Sequence, residues 1–400
     1  MRIAFITGEF QPLQGGLGDF TRELARACHA AGHEAHILTR TAPGAPAHES
    51  LDGVSVHRLV AGWGWAAWRQ AAGFIRQVAP DVVNAQYQAA AYQMHPAINL
   101  LPAALSKRAP VVVTFHDLRA PYLFPKAGPL RRQAILVMAR AARAVIVTNV
   151  EDEDTLRRAG LAQVFRVPIG SNIAPARIEG FDRGAWLRAR SAPESALTVG
   201  YFGFLNESKG GETLIRALAE VRAQGLDVKL VLIGGQTGDS DPTNQRYARR
   251  LMELAGALGA QAHIIATGFL DPGGVSAAFA ACDCMALPYR DGASLRRGTL
   301  MAALAHGSAI VTTTPRVALP ELQDGENALF VPPDDPPALA AAIQRALTDP
   351  ALRRKLQAGS RRASRLFAWD HIAAETTRVF EAAIGRYKPR RNKEHEGEGR

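Results

Sequence analysis

The stretch LTVGYFGFLNESKGG, residues 197–211, opens on an apolar run and closes on a lysine and two glycines. Its first part, 197–204, has strand length and carries no charge. The rest leads into a helical pattern over about 210–224. A strand, a glycine-bearing turn and a helix begin a doubly wound parallel domain. Here that beginning stands near the middle of a 400-residue chain, so the chain starts a second time.

Downstream the alternation continues with a strand at 228–233, a helix at 243–258 and a strand at 263–266. A helix at 274–282, a strand at 284–288, a helix at 296–306 and a strand at 309–313 follow. Helices near 336–347, 350–365 and 370–386 close the chain. Upstream, Val- and Ile-rich runs at 3–7, 34–39, 81–85, 110–115 and 144–148 alternate with helical patterns. In the first of these, Phe20, Leu24, Cys28 and Ala31 share one face, with Gly32 as the expected C-cap. The fold class is therefore α/β: two doubly wound Rossmann-like domains. Boundaries are expected at 1–190 and 191–368, with a closing helix at 369–387 and a disordered tail at 388–400. Pro175, Gly180, Gly184 and Pro193 mark the junction. Open parallel sheets bind ligands beyond the carboxyl ends of their strands, where helix N-termini favour phosphate. A phosphate-bearing ligand in a cleft between two such domains is the first functional expectation.

Composition narrows the field. A content of 47% hydrophobic and 21% charged residues is that of an ordinary globular chain. A formal charge of +10 favours anionic partners, namely phosphates, nucleic acid or an anionic membrane surface. No stacking motif or helix-turn-helix signal supports nucleic acid. Three cysteines, Cys28, Cys282 and Cys284, suit a reducing cytosol rather than a disulfide framework, and no metal site is expected of them. No apolar run reaches the roughly 18 residues of a membrane span. The opening run 3–7 is too short for a signal peptide. A cytoplasmic protein is expected, with peripheral contact at the inner membrane face compatible with its charge.

Several residues sit where chemistry would be. Gly15-Gly16-Leu17-Gly18-Asp19 follows the first strand; it does not fit G-x-G-x-x-G and reads either as a close-approach loop or as a plain helix entry. Lys209 opens one helix, and Arg296 and Arg297 open another. Cations at positive helix ends are disfavoured unless an anion lies between them, and a diphosphate would serve. Asp291 is the alternative partner for the arginines. His116 ends a strand, with Gln86 and Tyr87 at the matching end of the strand before it, where polar groups would meet a sugar. Trp63, Trp65 and Trp68, beside Arg69, stack on sugar rings, sit at a membrane interface or fill the first domain's core.

Taken in order, VGYFG (199–203), SKGG (208–211), residues 230–235, GFL (268–270), ALAHGSAIV (303–311) and above all PELQDGENALFVPP (320–333) resemble the family-4 glycosyltransferases of the GT-B fold. GGLG (15–18) and TFHD (114–117) match in type and order, so the resemblance covers about 1–385. It implies two domains facing a central cleft and retaining transfer of a sugar from a nucleotide-diphosphate donor. The acceptor would be a glycan, a lipid-linked molecule or a small molecule, with no cofactor and no essential metal. It implies that Lys209 grips the diphosphate, that His116 contacts the donor sugar as the catalytic histidine, and that Gly16 faces donor phosphate. Asp19, Gln86 and Tyr87 become candidate acceptor or sugar contacts. The family's paired glutamates, counted back from Gly307, fall at Ser294 and Ala302, and its usual arginine falls at Phe204. Ser294 then remains as a donor contact, and Arg296 or Arg297 replaces the missing cation. The alternative is a catalytically silent protein of the same fold that binds a nucleotide, a glycan or a partner transferase.

Overall fold

The computed structural model describes residues 1–13, 15–118, 128–170, 175–203, 206–234, 242–295 and 297–385, the side chains of 128–131 and 242–245 excepted. Contacts divide the chain into two compact units.

The first unit contains β1 (Arg2–Thr7), α1 (Gly16–Ala30), β2 (Glu34–Arg40), β3 (His48–Leu51), β4 (Val54–Val60) and α2 (Ala66–Val78). It continues through β5 (Val82–Tyr87), α3 (Ala97–Leu105), β6 (Val111–Phe115), α4 (Gly128–Ala141), β7 (Ala144–Val147), α5 (Val150–Arg158) and β8 (Val164–Arg166). The sheet order is β3-β4-β2-β1-β5-β6-β7-β8, parallel except for the β3–β4 pair. Strands such as β1 and β7 are buried on both faces, which is why they read as near-continuous apolar runs. Ala4, Ile6, Val83 and Val113 pack into one core, and Ile3, Phe5, Val82 and Val112 into the other. The pleat sends alternate residues to opposite faces. In α1, Phe20, Leu24 and Cys28 are buried as the periodicity predicts, while Ala31 caps the helix before Gly32 at φ +86°.

The second unit contains α6 (Arg183–Arg188), β9 (Leu197–Phe202), α7 (Gly211–Ala223), β10 (Val228–Ile233), α8 (Pro242–Ala257), β11 (Ile264–Ala266), α9 (Pro272–Ala281) and β12 (Cys284–Leu287). Then come α10 (Gly298–Ala305), β13 (Ile310–Thr313), β14 (Leu329–Val331), α11 (Pro336–Thr348) and α12 (Pro350–Ser364). Its sheet runs β11-β10-β9-β12-β13-β14, all parallel. Strand order therefore reverses between β9 and β12, the place where doubly wound sheets open a crevice. Three helices share one start signal, an aspartate cap followed by proline. Asp271, Asp335 and Asp349 accept from Gly274, Ala338 and Leu352 amides at 2.7, 3.0 and 2.9 Å.

The division between units falls at Gly170, ahead of the expected 190. The cause is α6. Leu187 is fully buried in the second unit's core, and the Arg183 guanidinium donates to Asp283 and the Ala196 carbonyl, both at 2.9 Å. The chain returns to the first unit at Trp369. There α13 (Trp369–Ala383) sets Phe380 beside Phe5 at 6.3 Å and Trp369 against Phe20 at 5.3 Å. The expected tail, 388–400, lies outside the described residues. Among the described residues no helix is long and apolar enough to cross a membrane.

Candidate functional site

Each unit presents its candidate residues at the carboxyl edge of its own sheet. In the second unit β9 is followed by Gly203, φ +98°. A β-carbon there would come within 2.8 Å of Thr299 Cγ2 and 3.3 Å of Lys209 Nζ. Lys209 therefore lies over the end of β9, beside the first turn of α10. It closes a short 3-10 turn, Glu207–Lys209, and Gly210 at φ +69° hands the chain to α7. At Gly210 a β-carbon would sit 1.9 Å from the Pro288 carbonyl oxygen, so the loops after β9 and β12 meet backbone to backbone.

Lys209 is half-buried and has no ion pair among the described residues. Burial first, and the Arg297 charge second, lower its ammonium pKa. A cation held this way gains most from an incoming anion. Its neighbours differ. In the adjoining cavity of about 410 Å³, Arg216 pairs with Glu212 at 2.9 Å, and Arg290 with Glu207 and Asp334, each at 2.9 Å.

Arg297 occupies the cap position of α10. Its guanidinium is paired with Asp291 and lies 4.9 Å from the Tyr289 ring, whose hydroxyl bonds Thr299 Oγ1 at 2.6 Å. Arg296 and Phe204 lie outside the described residues. Ser294 is half-buried in the same loop. Ala302 is fully buried in the core with Phe279 and Leu300, so no carboxylate stands at either glutamate position.

In the first unit, His116 follows β6 and Gln86 lies near the end of β5. His116 Nε2 and Gln86 Oε1 are 2.7 Å apart. The hydrogen-bond directions can be read from a fixed end. The Val112 carbonyl only accepts, so Asn84 Nδ2 donates to it at 3.2 Å and also to Thr114 Oγ1 at 3.0 Å. Asn84 Oδ1 then accepts from Gln86 Nε2, leaving Gln86 Oε1 to accept from His116 Nε2–H. The ring is thus held as the Nε2–H tautomer, and Nδ1 makes no hydrogen bond among the described residues. Phe20 packs edge-on at 4.5 Å. Burial pushes the imidazole pKa down to about 4, so it is neutral at pH 7.

This geometry corrects two expectations. Gln86 is fully buried, with its amide committed to Asn84 and His116, so it meets the histidine rather than a sugar. Tyr87 is also buried, stacked on Tyr92, with its hydroxyl accepting from Asn99 Nδ2 at 3.1 Å. Asp19 stays exposed in the first turn of α1, where the helix dipole favours a carboxylate. Gly16 has open space beside it: a β-carbon would meet no atom within 4 Å. The start of α1 holds an internal anion, since Glu9 Oε1 accepts from the Leu17 amide at 3.2 Å. Sequence reasoning missed Glu9 and Asn84; the one available signal was a polar residue, Asn84, between Val83 and Ala85 in a buried strand. Of the tryptophans, Trp63 fills the core, Trp68 is partly buried and Trp65 is exposed.

Comparison with known proteins adds to this geometry. Residues 196–349 match the family described as glycosyl transferases group 1, and residues 15–170 match the glycosyl transferase 4-like domain. Together these cover well over half of the chain. The D-inositol 3-phosphate glycosyltransferase of Salinispora arenicola is 27% identical, over 97% of this chain and 93% of its own. The phosphatidyl-myo-inositol mannosyltransferase of Mycolicibacterium smegmatis is 26% identical, over 96% and 95%. Among solved structures, Anabaena Alr3699/HepE in complex with UDP aligns with a TM-score of 0.70 at 19% identity, covering 96% of this chain and 100% of its own. That likeness speaks to the fold.

Proposed function

We propose, from the premise that this chain belongs to the family-4 glycosyltransferases of the GT-B fold, that it moves a sugar from a nucleoside-diphosphate donor to a hydroxyl acceptor with retention. The observation that carries the donor class is Lys209: a half-buried cation at the strand-order reversal of the second sheet, without an ion pair among the described residues. A diphosphate answers that charge with charge-assisted hydrogen bonds. The UDP in the HepE crystal supports the same class.

In this reading Lys209 neutralises the leaving diphosphate, the transition-state role that positioned cations play in group transfer. Ser294 and Arg297 border the same loop. His116 is neutral at pH 7 and acts as a hydrogen-bonding group on the donor sugar rather than as an acid. Its Nδ1, without a hydrogen bond among the described residues, is an acceptor and suits a sugar hydroxyl. The chain supplies positioning and charge, and the leaving phosphate takes the acceptor proton on the same face. The donor is the only small molecule required besides the acceptor. Glycans, lipid-linked molecules and small polyols all present suitable hydroxyls, and the two relatives named for inositol compounds support a ring-polyol acceptor.

The test is a panel of UDP-, ADP-, GDP- and dTDP-sugars, scored by release of nucleoside diphosphate. Release from one nucleotide series is expected, falling about 100-fold in His116→Ala, with an anomer matching the donor by proton NMR. No release from any series, or an inverted product, contradicts the proposal.

A further inference from the structure

Two loops at the carboxyl edge of the first sheet are each anchored by a buried aromatic residue. The loop after β4 is held by Trp63, whose Nε1–H donates to the Gly8 carbonyl at 3.0 Å. The loop after β5 is held by Tyr92, whose hydroxyl bonds the Gln86 carbonyl at 2.7 Å. Trp63 and Tyr92 pack edge to face at 4.8 Å, which ties the loops to each other. Gln93 and Met94 also hold left-handed backbone, at φ +55° and +56°. Non-glycine residues keep that conformation only where their surroundings enforce it.

Above these anchors the same loops display a second aromatic pair. Trp65 is 54% exposed. Its indole stands edge to face with Trp68 at 5.0 Å and His95 at 5.7 Å. Trp68 is itself fixed by Nε1–H donating to the Ala97 carbonyl at 2.9 Å. His95 Nδ1 accepts from the Ala97 amide at 3.1 Å, so the ring proton sits on Nε2. That Nε2–H makes no hydrogen bond among the described residues. The site thus offers an exposed indole of fixed orientation with a directional donor beside it.

We infer that Trp65 and His95 form a saccharide subsite, in which the indole takes the C–H face of a pyranose ring and His95 Nε2–H donates to one of its oxygens. An aromatic ring carries a negative face that attracts polarised C–H groups. The surroundings favour a sugar over a lipid surface. Gln88, Gln93 and Arg69 are exposed in the same segments, whereas membrane insertion needs an apolar face of several residues. On the glycosyl-transfer reading, which puts the donor diphosphate at Lys209 of the second unit, the ring taken by these first-unit loops is assigned to the acceptor. The acceptor assignment rests on the glycosyl-transfer reading; saccharide binding itself does not.

The test uses the full chain, fluorescently labelled, on an array of gluco-, manno- and galacto-configured oligosaccharides. Binding to at least one configuration is expected. Trp65→Phe should retain it within about threefold, while Trp65→Ala and Trp65→Leu should each lose about tenfold or more, with His95→Ala intermediate. Since Trp65 is exposed, circular dichroism melts of these variants should match wild type; Trp65→Leu keeps bulk without a ring face should Trp65→Ala melt early. Absence of binding to every configuration overturns the subsite. Equal binding by Trp65→Ala and Trp65→Leu overturns it too, as does Trp65-dependent binding to phosphatidylglycerol vesicles in place of the glycans. UDP titration of the wild-type chain reads the donor assignment separately. Glycan binding without UDP binding keeps the subsite and sinks the donor; the reverse result sinks the subsite alone.

Discussion

His116 shows how much of a residue's chemistry is set by groups it does not share a segment with. Its tautomer is fixed by a chain running from the Val112 carbonyl through Asn84 and Gln86, across β5 and β6. Replacing Gln86 by leucine removes the acceptor and leaves the ring free to exchange tautomers. Nitrogen-15 NMR of the labelled ring is therefore expected to show Nε2–H in wild type and a mixture in Gln86→Leu; an unchanged spectrum would contradict the assigned directions. In wild type the ring should stay unprotonated from pH 8 to about 5, because its pKa is pushed down to about 4. His57, flanked by His36 and His48 at 3.2 and 3.1 Å, is also pushed down to about 4, by burial and then by those neighbours. An unfolded histidine titrates near 6.5. Between about pH 6.5 and 4 the unfolded chain thus binds more protons at both sites. Stability from keeping them neutral is complete above about 6.5 and falls as pH drops toward 4.

At the level of elements, one glycine in the second unit carries more of the local fold than the glycine-rich loop of the first unit that first draws the eye. Gly210 joins the Lys209 turn to α7 at positive φ and lies against the Pro288 carbonyl. Gly210→Ala adds both strain and a backbone clash, and about 2–4 kcal/mol of destabilisation is expected. Gly16→Ala, with open space around it, is expected to cost about 1 kcal/mol or less. Chemical denaturation of the two variants checks the contrast; equal losses would mean that the α7 start is not pinned by Pro288. The β3–β4 hairpin was not legible as strands, because HESL, the edge strand, and VSVHRLV beside it mix polar and apolar residues. Its turn was readable all the same: Asp52-Gly53, both at positive φ, is the pair that a tight hairpin favours.

Across the whole molecule, the repeated strand–turn–helix opening carried the fold into view. β1 and β9 each begin a sheet whose order reverses at that strand, and their apolar runs are plain in the sequence. The unit boundary was harder to place, since α6 is short and owes its position to Leu187 and Arg183 contacts with distant residues. Candidate residues stand out in the sequence where they follow strands or precede helices, as His116 and Lys209 do. Their surroundings do not. Whether Arg297 faces a ligand or Asp291 depends on side-chain packing that spacing leaves open. The burial of Gln86 and Tyr87 likewise follows from a pleat shared by neighbouring strands. The difference between the two cations leads to a quantitative ordering. Lys209, without an ion pair among the described residues, should dominate diphosphate binding, whereas Arg297 is already paired with Asp291.

Calorimetric titration of UDP, ADP and GDP into wild type, Lys209→Ala and Arg297→Ala decides the matter. Binding of at least one nucleotide by wild type is expected. The loss should be about 10- to 100-fold in Lys209→Ala, equal to roughly 1.4–2.7 kcal/mol, and about threefold or less in Arg297→Ala. Wild-type affinity in Lys209→Ala would show that no diphosphate is held at the end of β9.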